Sequence, residues 1–161
     1  MTEPRAGTTF EGRPGGKPAR YALVAAKFNA VIVERLVSGA VDALTRHGVA
    51  SVDVDLAWVP GALELPIAAQ RFARSGRYAA VIALGTVIRG DTTHYDIVAE
   101  NSADGCTAVA LETGVPVLNA ILTVENLDQA LARSGGDKRD QGYNAALAAV
   151  HMADLARRLK A

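Results

Sequence analysis

Four short apolar stretches, separated by amphipathic ones, set the plan of this chain. Residues 20–26 and 78–84 are apolar almost throughout, the second closed by Gly85, and residues 115–122 carry Asn119 as the polar member of an apolar run. Runs of this length read as strands buried on both faces of a parallel sheet. Residues 52–59 alternate with period two instead, which marks a strand with one wetter face, nearer an edge.

Helical periodicity fills the gaps. Between residues 31 and 47, Val33, Leu36, Val37, Ala40, Val41 and Leu44 fall on one face, and Gly48 follows as the residue beyond the helix end. Further helices are predicted over residues 64–74, 96–109, 123–133 and 142–160. Gly114 ends the one over 96–109, and Asp91, Thr92 and Thr93 are cap residue types before it. The sum is βαβαβαβ followed by two helices. Strands separated by single helices predict an α/β fold, a four-stranded parallel sheet covered on both faces in a three-layer αβα sandwich with right-handed crossovers.

Composition narrows the partners. At 161 residues the chain suits one domain, spanning 21–161, and 17 basic side chains balance 17 acidic ones. No global field therefore attracts nucleic acid or an anionic membrane, and any anion site has to be local. A single cysteine, Cys106, excludes an intrachain disulfide and a cysteine-based metal site; it fits a reducing compartment and reads as core filler. No stretch has the length of a membrane span, so a soluble, cytoplasmic protein is expected. Residues 1–20 are rich in Gly, Pro and Arg and lack the apolar segment of a secretory signal, so they read as a flexible arm. Half the residues are hydrophobic, more apolar surface than so short a domain covers by itself, which predicts homo-oligomerisation.

Candidate chemistry collects after the strands. In the stretch from Gly85 to Val98 an apolar run ends in a polar loop and then turns helical, so backbone N–H groups and the positive end of a helix dipole face one space. An anion fits there. His94 stands in the first helical turn, where the dipole favours the neutral, proton-exchanging ring; the plainer reading is a capped helix with a surface histidine. Phe28, in the loop after the first strand, either stacks on a heterocycle or plugs the core. Glu64 either complements the dipole of its own helix or accepts from a polyhydroxylated ligand. Asn119 pairs with backbone or reads an amide edge, and Arg133 satisfies final carbonyls or clamps a phosphate. His47 and His151 are read as structural. The chain has no G-x-G-x-x-G after the first strand, no phosphate-binding G-x-x-x-x-G-K-[ST] and no G-x-S-x-G elbow, and its histidines lack metal-ligand spacing.

Four pieces in register then carry a specific resemblance. Phe28-Asn29, the run from Val59 to Pro66 (VPGALELP), the run from Ala83 to Asp96 (ALGTVIRGDTTHYD) and the run from Asn119 to Asn126 (NAILTVEN) together resemble the 6,7-dimethyl-8-ribityllumazine synthase family, from about Tyr21 to the C-terminus. The resemblance implies a flavodoxin-like fold and the penultimate step of riboflavin synthesis. There 5-amino-6-(D-ribitylamino)uracil and 3,4-dihydroxy-2-butanone 4-phosphate condense to 6,7-dimethyl-8-ribityllumazine, with loss of phosphate and water and without a cofactor or metal.

It also implies roles. Phe28 stacks on the pyrimidine, Ala62, Leu63 and Glu64 hold the ring edge and ribityl chain, and Thr86, Val87 and Ile88 give backbone contacts. Asn119 lines the ring pocket, Gly90, Asp91 and Thr92 form the phosphate turn, Arg133 meets the phosphate, and His94 shuttles protons. Similar proteins assemble as pentamers with active sites between subunits and pass their product to riboflavin synthase. The resemblance implies a pentamer or a larger assembly of pentamers; where shell-forming relatives carry a lysine and then a glutamate, this chain has Gln141 and Asn144, which leaves the shell open. The rival reading is a non-catalytic flavin- or lumazine-binding or shell-forming protein of the same fold.

Overall fold

The computed structural model describes residues 6–15, 18–136 and 138–160. Its four strands are β1 (Tyr21–Ala26), β2 (Val54–Val59), β3 (Ala80–Ile88) and β4 (Val117–Val124), all parallel in the order β2-β1-β3-β4. β1 is central and buried along its whole length, as its unbroken apolar sequence requires. β2 is an edge strand, as its alternation suggests, but the face it leaves exposed carries Leu56 and Trp58, the large apolar members of that alternation.

Boundaries differ for identifiable reasons. Residues Ser51–Asp53 form a 3-10 turn, so β2 starts later than the alternation suggests. Gly85 does not close β3, which runs three residues further. A Cβ there would lie 3.2 Å from Leu65 Cδ1 and 3.6 Å from Ile121 Cγ2, so this glycine marks a close approach of neighbours within a strand. β4 likewise continues to Val124, and the next helix starts only at Leu127, where the Asn126 side chain accepts from the Gln129 N–H as its cap.

Helices cover both faces of the sheet. On one lie α1 (Ala30–Arg46), α4 (Leu127–Arg133) and α5 (Gln141–Lys160), enclosing Leu23, Leu36, Leu44, Ile82 and Leu84. On the other lie α2 (Leu65–Arg74) and α3 (His94–Thr113), enclosing Val24, Leu65, Ala69, Val81 and Cys106. Strand residues alternate between the two cores, as pleating demands. Full burial of one leucine contributes roughly 1.5–3 kcal/mol, so the strand register is strongly specified. The Cys106 thiol is pushed up to about 11 by burial, in keeping with core filler. α3 extends past its expected bounds at both ends and stops at Gly114, which takes φ 71°, just as Gly48 takes φ 86° beyond α1.

At the pole opposite the strand ends that matter below, α5 fastens part of the N-terminal arm. Gly12 is buried, its carbonyl 3.0 Å from His151 Nδ1, and the Arg13 N–H donates to Asp154 Oδ2 at 2.9 Å. Arg157 and Arg158 complete the ring around that carboxylate. The arm expected to hang free is thus held at two points; residues 1–5, 16 and 17 of it lie outside the described residues.

Candidate active site

β1 and β3 are neighbours in the sheet, yet the chain leaves β1 for α1 on one face and leaves β3 for α3 on the other. Such a switch point opens a crevice at the strands' carboxyl ends. The loop after β1 is knitted to its surroundings: Lys27 N–H donates to the Val59 carbonyl at 2.8 Å and Phe28 N–H to that of Pro60 at 3.1 Å. Asn29 adopts the left-handed conformation, φ 59°, the one described non-glycine residue with positive φ, and its Nδ2 donates to the Thr86 carbonyl at 2.9 Å. Its amide tolerates that backbone and spans the crevice at once. Phe28 is consequently fixed by its backbone while its ring stays 71% exposed.

The crevice is a cleft of about 450 Å³. Phe28 forms one side, and the 3-10 turn Ala62–Glu64 another. The Gly61 N–H donates to Glu64 Oε2 at 3.0 Å, so this carboxylate first serves its own turn. Thr86, Val87 and Ile88 form the floor. Alternation puts the Thr86 side chain on the α1 side with Ile82 and Leu84, where its hydroxyl is buried with no partner among the described residues. Only the Thr86 backbone therefore faces the cleft.

Gly90, Thr92 and His94 close the far end. His94 opens α3, its ring exposed and its N–H on Thr92 Oγ1 at 3.3 Å. Thr93, the cap residue, makes no side-chain cap bond, which leaves the first N–H groups of α3 without that partner. Asp91 is exposed in the same turn but is not part of the wall. Beside His94 stands Tyr95, over whose ring the Arg89 guanidinium sits at 4.2 Å. Arg89 Nε also reaches both Glu125 oxygens, at 2.9 and 3.1 Å, tying this end of the cleft to the loop after β4.

Asn119 and Arg133 lie elsewhere, in a second hollow of about 220 Å³ along β4. Asn119 is exposed, contrary to its expected burial, because β4 is the other edge of the sheet. Its Oδ1 accepts from the Ile121 N–H at 2.7 Å, and its carbonyl accepts from Gln141 Nε2 at 3.3 Å. Arg133 donates to the Gln129 carbonyl at 3.1 Å. The backbone-pairing reading of Asn119 and the carbonyl-satisfying reading of Arg133 both describe the protomer by itself. Arg139 lines the same hollow.

Periodicity and motif reading missed Asn29 as a strut, the Arg89–Tyr95 stack and Arg139. An asparagine immediately after a phenylalanine at a strand's carboxyl end was a usable signal for the first; the stack needed coordinates.

Loops from β1, β2 and β3 gathered round a switch-point cleft, with a histidine at a helix start, define a small-molecule enzyme of the layered α/β class. The model of the 6,7-dimethyl-8-ribityllumazine synthase family matches residues 18–157. The chain belongs to that family, whose members are transferases of riboflavin biosynthesis. No helix among the described residues is long and apolar enough to cross a membrane.

Proposed function

We propose that this protein condenses 5-amino-6-(D-ribitylamino)uracil with 3,4-dihydroxy-2-butanone 4-phosphate to form 6,7-dimethyl-8-ribityllumazine, releasing phosphate and water. The observation that carries this reading is the placement of an exposed aromatic ring, Phe28, in one cleft with His94 and an open helix start. Phe28 stacks on the pyrimidine. Ala62 and Leu63 border the ring edge, and Glu64, with one oxygen given to Gly61, accepts from ribityl hydroxyls with the other. The strand end Thr86–Ile88 offers backbone donors and acceptors to the same substrate.

The ketone phosphate lies at the turn Gly90-Asp91-Thr92, where N–H groups of α3 and a guanidinium stabilise the departing dianion without a metal. Attack of the amine on the ketone carbon makes a C–N bond and sends a proton to oxygen. Loss of water and of phosphate then requires further protons to move. His94 carries them, an imidazole at the cleft's edge that can both give and take a proton. Holding two substrates in one orientation supplies much of the remaining acceleration.

Arg133 and Asn119 join this chemistry from a second copy. Their hollow is separate from the cleft in one protomer, so a homopentamer that abuts the two completes the pocket. The protein then acts as one domain over residues 21–161, in the cytoplasm, and its product passes to riboflavin synthase. Mixing the two substrates with the full chain is the test: growth of lumazine absorbance and fluorescence supports the reading, and intact substrates after prolonged incubation overturn it.

A further inference from the structure

Arg133 is not the only cation in the β4 hollow. Arg139 lines it too, and no carboxylate does among the described residues. Of the other described arginines, Arg20, Arg46, Arg74, Arg89, Arg157 and Arg158 each sit on an aspartate or glutamate, while Arg13, Arg35, Arg71 and Arg77 make no such ion pair among the described residues. In the hollow, Arg133 reaches only the neutral Gln129 carbonyl, and the Arg139 side chain has no hydrogen-bond or ion-pair partner among the described residues. Two guanidiniums lining one small polar hollow that no carboxylate lines offer an anion charge-assisted bonds from both.

The turn that carries Arg139 is held in place. Its N–H donates to the Ala132 carbonyl at 3.1 Å and its carbonyl accepts from the Gly135 N–H at 3.0 Å. Ser134 bridges Asp140, and Arg35 of α1 donates through Nε to the Ser134 carbonyl and hydroxyl at 3.1 and 3.0 Å. Binding through Arg139 thus orders one side chain and no backbone, which keeps the entropic cost small. Gln141, the nearest alternative polar residue, is neutral and spends its amide on the Asn119 carbonyl.

We infer that Arg139 is a second phosphate-holding residue, working beside Arg133 on the phosphorylated ketone. The inference rests on the function proposed above for its substrate, though its anion chemistry does not. Paired guanidiniums suit a phosphate monoester dianion, whose several oxygens accept more charge-assisted bonds than one fork donates.

The experiment uses the full-length protein and inorganic phosphate as probe, measured by calorimetric titration at constant ionic strength. Arg139→Gln is expected to weaken phosphate binding about tenfold, the size of one charge-assisted bond. It should raise KM for the phosphorylated ketone by a similar factor while KM for the ribitylaminouracil stays unchanged. Arg139→Lys restores part of the loss, and Lys138→Gln, which removes a charge from the same turn, leaves phosphate affinity within about twofold. Unchanged phosphate affinity in Arg139→Gln overturns the inference, and so does an equal loss in Lys138→Gln. If the wild type binds phosphate through Arg139 yet forms no lumazine, the reaction assignment fails and the anion site stands. If it forms lumazine with KM indifferent to Arg139, the assignment stands and the inference falls.

Discussion

The cleft beside β3 and the hollow beside β4 share no lining residue and are built on different terms. Three walls of the cleft are braced from within the protomer: Asn29 straps the β1 loop to Thr86, Glu64 closes its own turn, and Arg89 pins Tyr95. The hollow is shallower and polar, its floor an edge strand and its cations Arg133 and Arg139 facing no acid among the described residues. One region is shaped before any ligand comes; the other is shaped to meet something charged. On the function proposed above, proton transfer and ring recognition fall to the rigid part, and phosphate selection falls to the part that a second copy would bring.

Substitutions pull the two regions apart. The largest effect belongs to the cleft: His94→Ala should lower kcat about a hundredfold and leave KM for both substrates nearly unchanged, read by steady-state kinetics. A rise in KM with kcat intact would make His94 a binding residue and dissolve the contrast. Arg133→Ala should mainly raise KM for the ketone phosphate, by tenfold or more on the order of one lost guanidinium–phosphate pair. Co-refolding the His94→Ala and Arg133→Ala proteins in equal amounts then tests the division itself. About a quarter of the interfaces in a random mixture unite two intact halves, so with the ketone phosphate held well below its wild-type KM, activity near a quarter of wild type should return from two strongly impaired parents. No recovery would mean that each protomer works with its own arginine.

Phe28→Ala should cost about tenfold in KM for the ribitylaminouracil, the worth of one stacked ring, with the ketone unaffected. Thr86→Val bears on stability alone. Removing a buried hydroxyl that lacks a partner should leave turnover unchanged and raise Tm by about 2–4 °C in a calorimetric scan. Loss of activity there would show that the side chain, and not just the backbone, serves the cleft.

A pH experiment addresses the far pole, outside both regions. The Arg158 guanidinium, with the Arg13 N–H and Arg157, holds the Asp154 carboxyl well below the usual carboxylate range. A carboxyl with a depressed folded pKa stabilises the fold above its ordinary value, near pH ~4, and loses that contribution as pH falls below it. Acidification through that window should lower the protection of the Arg13 amide hydrogen relative to its intrinsic exchange rate at each pH, and Asp154→Asn should lower it already at neutral pH, with the cleft unaffected.

Much of the layered fold was legible because its signals are local: apolar runs for β1 and β3, alternation for β2, and glycines beyond α1 and α3. The same logic put Phe28, Glu64, Gly90, Thr92 and His94 on one rim, since each follows a strand. What escaped is non-local. Gly85 looked like a stop because a lone chain does not display Leu65 pressing on it, and Asn119 looked buried because nothing local says that β4 is an edge. Asn29 acts through Thr86, and Arg89 ties its end of the cleft to Glu125, each partner more than thirty residues away and beyond any periodicity.

Gly85 has one more thing to say about Glu64. A methyl group there must push Leu65 by a few tenths of an ångström, and Leu65 follows Glu64 directly in the chain. An alanine buried within β3 would therefore act as a wedge on the turn that carries a carboxylate it never touches. On the function proposed above, its lesion would register in affinity for the ribityl substrate, and a screen for surface defects would look in the wrong place.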